Sequence, residues 1–201
     1  MDFNSIIARV KNIVVAPDQE WLVVAESEKD ITKNQVLTGY AIPFIVVGAI
    51  AAFVGTAFLN SAMSLLGAGA AMKYAIIGSV SALIMGLVSI FISAFIVDAL
   101  APSFGGVKNM DNAMKLVIYS STPSYIISII AGFLPFLGIL QIAALYGIYL
   151  YWTGLTPMMQ VPTERRVGYL VVIILVSLVV YFVVGAILAM LLGTLLLGGL
   201  M

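Results

Sequence analysis

The sequence predicts an all-α integral membrane protein: five transmembrane helices following a short helical N-terminal segment in the cytoplasm. Three observations predict it. The 201 residues are 63% hydrophobic and only 9% charged, against roughly 25% charged in soluble chains, so lipid must cover the surface that charge cannot. Uncharged stretches recur at about the 20 residues that a helix needs to cross a bilayer. Lys and Arg, moreover, fall in alternate connections between those stretches, as orientation in a membrane demands.

Residues 1–36 form the first unit, and 37–201 the transmembrane domain. The first unit carries Arg9, Lys11, Lys29 and Lys33 among six acidic side chains and has no long apolar core, so it is not a cleavable signal peptide. The first span then acts as an uncleaved anchor. Phe3, Ile6, Ile7, Val10, Ile13 and Val14 recur at helical spacing. The stripe fits an amphipathic helix on the inner membrane surface and equally a helix packed on the protein's own loops. Pro17 suits a first helical position, with Asp18 and Glu20 near the positive helix end. Trp21 is expected as an interfacial anchor or a docking residue, and the run Glu26–Asp30 as a solvated face.

The spans are placed at about 40–59, 74–97, 116–132, 136–153 and 168–192. Residues 60–73, rich in Gly, Ala and Ser, read as a connection. Asp98, Pro102 and the Gly105–Gly106 pair end the second span. Residues 116–163 carry no charge and fit a helical hairpin whose corner is Gly132 to Gly138, with Pro135 inside it. Gly154, Pro157 and Pro162 open a loop holding Glu164, Arg165 and Arg166, and the last span ends in an apolar, Gly-rich tail. With the N-terminus inside, eight of the nine basic residues lie on the inner side and only Lys73 outside.

Small residues sit four apart at Gly78, Ala82 and Gly86, and again at Gly185, Ala189 and Gly193; Ala143 and Gly147 repeat the spacing. Such spacing lets helix backbones approach closely in membranes, within one subunit or between subunits. The third span is the most polar. Tyr119, Ser120, Thr122, Pro123 and Ser124 lie near its cytoplasmic half, and Ser121, Ser124, Tyr125 and Ser128 share one face. Pro123 crowds the preceding turn and predicts a kink. Kinked, hydroxyl-rich helices line transporter cavities, and they also occur as plain structure. Gln141 in the fourth span is a candidate to join such a cavity. Asp98 and Lys115, both at inner span ends, are a candidate ion pair or two separate headgroup contacts.

Net charge is zero, which argues against nucleic acid as a partner. Without Cys or His, thiol chemistry, Cys/His zinc sites and imidazole catalysis are excluded. Intramembrane serine proteolysis would need a His, and aspartyl proteolysis a second Asp in the spans. No Walker-type loop occurs. No cofactor, metal or catalytic residue is therefore expected, and the chain reads as a non-enzyme.

Four segments carry a resemblance: "APDQEW", "LTGYAIPF", "DALAPSFGGVKNMDNAMKLVIYSSTPSYI" and "LPFLGILQIAALYGIYLYWTGLTPMMQVPTERR". With the five-span plan they resemble bacterial members of the Yip family, named for Ypt/Rab-interacting proteins. The resemblance implies a five-helix fold with a cytoplasmic N-terminal region, in the bacterial cytoplasmic (inner) membrane. Eukaryotic relatives are linked to Rab GTPases and vesicle traffic. This sequence departs from them in its short N-terminal region and in lacking an acidic-Leu-Tyr-Gly-Pro signature, so that role does not transfer.

The functional expectation is a scaffold or adaptor for partner membrane proteins or for self-association. Its inner docking face would hold Trp21, Arg165 and Arg166 with the Asp98–Lys115 loop. One alternative is a small transporter or lipid-handling protein with a cavity along the third span. Another is a membrane-shaping protein whose amphipathic head and third-to-fourth hairpin act as wedges. Reporters fused before Met1 and after Met201 should lie in opposite compartments; finding both in one compartment would refute the odd span count.

Overall fold

The computed structural model describes residues 2–63 and 68–198. Among them every regular element is helical. In chain order these are α1 (Phe3–Val15), α2 (Pro17–Ser27), a short α3 (Lys33–Val36), a π-helical turn (Leu37–Ala41) running into α4 (Ile42–Met63), α5 (Ala68–Leu100), α6 (Met110–Ser120), α7 (Thr122–Phe133), α8 (Tyr146–Met159) and α9 (Arg166–Gly198). Segments of 3₁₀ helix precede α6, α8 and α9. Among the described residues, four helical stretches are long and apolar enough to cross a membrane: Lys33–Phe58, Met72–Phe104, Ile139–Met159 and Thr163–Ile187. The pair α6–α7, bent by 42°, makes a fifth if it crosses as one broken span.

Local sequence explains the ends of the head helices. Asp2 caps α1 by accepting from the Ser5 backbone N–H at 3.0 Å, and Pro17 starts α2, where its missing N–H costs nothing. Thr32 and Gln35 close a reciprocal capping box on α3. Gly105 adopts φ 76° after the turn Ala101–Phe104, a left-handed conformation open to glycine at no steric cost.

The core lies at the end of the bundle that the head covers. Trp21, Tyr40, Tyr119, Leu116, Leu150, Leu155 and Met158 are fully buried there. Away from that end the spans turn their apolar side chains outward. α9 does so most: Leu175, Leu178, Val179 and Phe182 are all exposed, as a helix facing hydrocarbon should be.

Helix pairs close where side chains vanish. A Cβ on Gly55 of α4 would stand 1.9 Å from the Gly132 carbonyl oxygen of α7, and one on Gly132 would stand 2.9 Å from the Ala51 Cβ. Backbone therefore meets backbone between α4 and α7. Gly86 faces Ile45 at 3.0 Å, whereas Gly78 and Gly185 have nothing within 4 Å among the described residues.

Several elements differ from the sequence reading. The expected connection 60–73 is much shorter: α4 runs on to Met63 and α5 begins at Ala68, because Ala and Ser are tolerated in helices. Residues 64–67 lie outside the described residues, as do 199–201 of the apolar tail. The third span begins earlier, at Met110, since Asn109 caps α6 by accepting from Asn112 N–H at 3.0 Å. The hairpin corner is a long 3₁₀ stretch, Pro135–Leu145, rather than a tight turn. Gly154 and Pro157 lie inside α8, which ends only at Gln160 in a left-handed conformation. Pro157 is tolerated one turn from that end, where few hydrogen bonds depend on its neighbourhood. The bend at Pro123 is present: α6 stops at Ser120 and α7 restarts at Thr122.

Gly55→Val forces the α4–α7 backbones apart. A loss of about 3 kcal/mol or more is expected from the clash, seen as a large fall in detergent Tm and in yield. An unchanged Tm would show that the two helices do not meet there.

Candidate functional site

Two polar features stand out in an otherwise apolar molecule. The first is a closed knot of charge beneath the head. Arg9 on α1 donates from one guanidinium nitrogen to Glu20 and from another to Glu28, both on or just after α2. Lys115 on α6, almost fully buried, donates to the Glu28 backbone carbonyl. Tyr119, one turn further along α6, donates to the Glu28 carboxylate at 3.0 Å. The Arg9 guanidinium also lies 5.2 Å from the Tyr119 ring centre. Two cations thus face two carboxylates, and the knot is neutral as a whole. Glu28 ends α2, so Lys115 sits at the negative pole of that helix.

Aromatic packing seals the knot. Tyr40 meets Tyr119 edge-on at 5.0 Å, and its hydroxyl bonds Thr122 at 2.8 Å. Thr122 donates to the Tyr119 carbonyl at 2.7 Å, one of the carbonyls the break before Pro123 sets free. Trp21 donates its indole N–H to the Leu150 carbonyl and to Thr153 on α8, each at 3.1 Å. A Cβ on Gly154 would stand 2.7 Å from the Trp21 ring, so α8 offers the indole a slot. Tyr146 donates to the Val14 carbonyl at 2.9 Å. Every head helix is thereby tied to the bundle.

The second feature is a hydroxyl-lined cleft among α5, the α6–α7 bend, α8 and α9. It is made of two neighbouring pockets, the first half of about 300 and the second of about 440 Å³. Ser93, Ser121 and Tyr181 border both. Ser177 and Tyr151 line the first half, with Ile148 and Leu178 exposed at its edge; Ser89, Ser124 and Tyr125 line the second. No charged side chain lines either.

The residues singled out in sequence fall in different places. Tyr119 belongs to the charge knot, Thr122 and Pro123 are buried beside it, and Ser120 is buried with its hydroxyl unpartnered among the described residues. Of that group only Ser124 borders the cleft. Gln141 is exposed in the 3₁₀ stretch, away from both halves. Trp21 is neither interfacial nor available for docking: it is fully buried, because an indole with both an apolar body and a satisfied N–H can enter a core. Asp98 and Lys115 do not pair. Lys115 is taken by Glu28, and the Asp98 Oδ1 atom is buried without a hydrogen bond among the described residues. Arg165 is exposed, whereas the Arg166 guanidinium stacks 3.8 Å from the Trp152 ring centre. The run Glu26–Asp30 is solvated except at Glu28, which is buried by Arg9 and Tyr119. Ile6, Val10, Ile13 and Val14 pack on the core, leaving Phe3 and Ile7 exposed.

Sequence reasoning missed Arg9, Glu20, Glu28 and Tyr40 in the knot, and Ser89, Ser93, Ser177 and Tyr181 in the cleft. Arg9 carried a signal, lying three after Ile6 and four before Ile13 and so beside the apolar stripe. The cleft residues carried one too: Ser89 with Ser93, and Ser177 with Tyr181, are each spaced four apart.

A family model, the Yip1 domain, matches residues 11–185. No curated protein and no solved structure matches the chain.

Arg9→Ala would leave two buried carboxylates without their guanidinium. Breaking a buried pair in this way costs about 3–5 kcal/mol, so detergent Tm should fall by roughly 10 °C and proteolysis should reach residues 1–28. A Tm within error of the parent would mean that the knot contributes nothing to stability.

Proposed function

This chain belongs to the Yip1 family of membrane proteins, and we propose that it works as a non-enzymatic scaffold holding partner membrane proteins against one fixed inner surface. The observation that carries the reading is the charge knot. Head helices that only needed to be near the membrane would be served by an apolar stripe. Here Arg9, Glu20, Glu28 and Lys115 give up water to fix α1 and α2 in one orientation on α6. Buried charge of this kind favours a single arrangement over raw stability, and a single arrangement is what a docking surface requires.

Lys11, Asp18, Glu26, Lys29, Lys108, Glu164 and Arg165 stay exposed at that end. They present both signs within a small area, suited to electrostatic matching with a partner rather than to a polyanion. The buried Trp21 and Lys115 support that surface from beneath. Within the bilayer, the open Gly78 and Gly185 positions offer places where another helix can approach closely. We place the head in the cytoplasm on the Lys and Arg asymmetry.

Crosslinking in native membranes followed by purification tests this reading. A reproducible partner membrane protein, or a discrete oligomer, is expected, with crosslinks from Lys11, Lys29 or Lys108. Replacing Arg165 and Lys108 by Glu should reduce recovery of the partner several-fold, as rim charge reversals do, and leave Tm unchanged. Recovery of the monomer alone would contradict the proposal.

A further inference from the structure

We propose that the hydroxyl-lined cleft binds an uncharged lipid bearing a free hydroxyl, a diacylglycerol being the simplest of that class. The proposal goes beyond the scaffold reading and does not depend on it. It rests on the hydrogen-bond polarity of the cleft walls.

Four of the eight hydroxyls that line the cleft have their protons committed. Ser89 donates to the Gly86 carbonyl at 2.9 Å, and Ser121 donates to the Val117 carbonyl at 2.8 Å. Tyr181 donates to the Ser89 carbonyl at 3.1 Å, so its bond with Ser93 must take the Ser93 proton. These side chains then present lone pairs to the cleft and have no proton left to give. The others keep a proton to give, Tyr125 among them. The Tyr125 hydroxyl is buried in the wall of the larger half, beside the Ser121 hydroxyl, and makes no hydrogen bond of ordinary geometry among the described residues. Leaving it unpaired costs about 1–3 kcal/mol. A ligand that both donates to serine oxygens and accepts from Tyr125 satisfies the site, and an alcohol does both.

Charge excludes the common alternatives. No Lys, Arg, Asp or Glu lines either half, so a phosphate or ammonium drawn inside would be uncompensated. The depth fits a lipid that can sink its polar end. Ser93 lies five residues before Asp98, and Ser121 six after Lys115, about 8 Å along a helix from those charges. Apolar side chains make up most of the remaining wall, and the first half opens between Ile148 and Leu178 onto the lateral surface. Acyl chains can leave the cleft there and rejoin the bilayer.

The test uses the full chain in nanodiscs of phosphatidylethanolamine and phosphatidylglycerol containing a photoactivatable diacylglycerol. Label should concentrate on peptides spanning 85–93, 117–125 and 177–181. Unlabelled diacylglycerol should compete, and extra phosphatidylglycerol should not. Tyr125→Phe removes one hydroxyl and fills no space; it should cut site labelling about fivefold, the value of one net hydrogen bond. Ser121→Leu should block the cleft and abolish the site label while background label persists. Even labelling over the whole lipid-facing surface, equal competition by phosphatidylglycerol, or full labelling of a folded Tyr125→Phe protein would each overturn the proposal.

Discussion

The arrangement of this molecule turns on the cost of taking charge out of water. An arginine, a lysine and two glutamates sit beneath the head, and an isolated ion there would be penalised by several kcal/mol. None is isolated. Arg9 spans Glu20 and Glu28, Lys115 takes the carbonyl at the end of α2, and Tyr119 supplies a further donor to Glu28. α1, α2 and α6 are held together where Arg9, Glu20, Glu28, Lys115 and Tyr119 find these partners. Apolar packing then follows, with Trp21 slotted against Gly154 and Tyr40 against Tyr119. A greasy interface of the same area would have tolerated sliding, whereas this one does not.

Below the knot, lipid takes over as the solvent, and the rules change. Apolar side chains are no longer drawn inward, so α9 shows its leucines, valines and Phe182 to the outside. Association of helices depends instead on close backbone approach, as at Gly55 and Gly132. The break before Pro123 interrupts this packing. It divides α6 from α7, frees the Tyr119 carbonyl that Thr122 recovers, and leaves the space that α5 and α9 border with hydroxyls. Polar groups at membrane depth are expensive, and their concentration at one bend points to use rather than accident.

The membrane class was legible because hydrophobicity and charge placement are summed over many residues and survive local error. The bend was legible as well, since proline acts on its own turn. Helix ends were less so: Gly154 and Pro157 read as loop-makers, yet the slot for Trp21 keeps α8 intact there. Long-range pairing was the least visible. Nothing adjacent to Lys115 names Glu28, which lies 87 residues earlier, and Asp98 seemed the nearer partner. Trp21 misled for a related reason. An indole is amphipathic at an interface and in a core alike, and only the location of the Leu150 carbonyl decides between them.

Hydrogen exchange of the full chain in nanodiscs addresses the locked head most directly. If buried charge fixes α1 and α2 to the bundle, amides 6–15 and 21–27 exchange as slowly as those of α6, and Arg9→Ala speeds them to near free-chain rates while α6 stays protected. Rapid exchange of both head helices in the unaltered protein would contradict the account, because a head held by those ions cannot fray independently of the helices it is bound to.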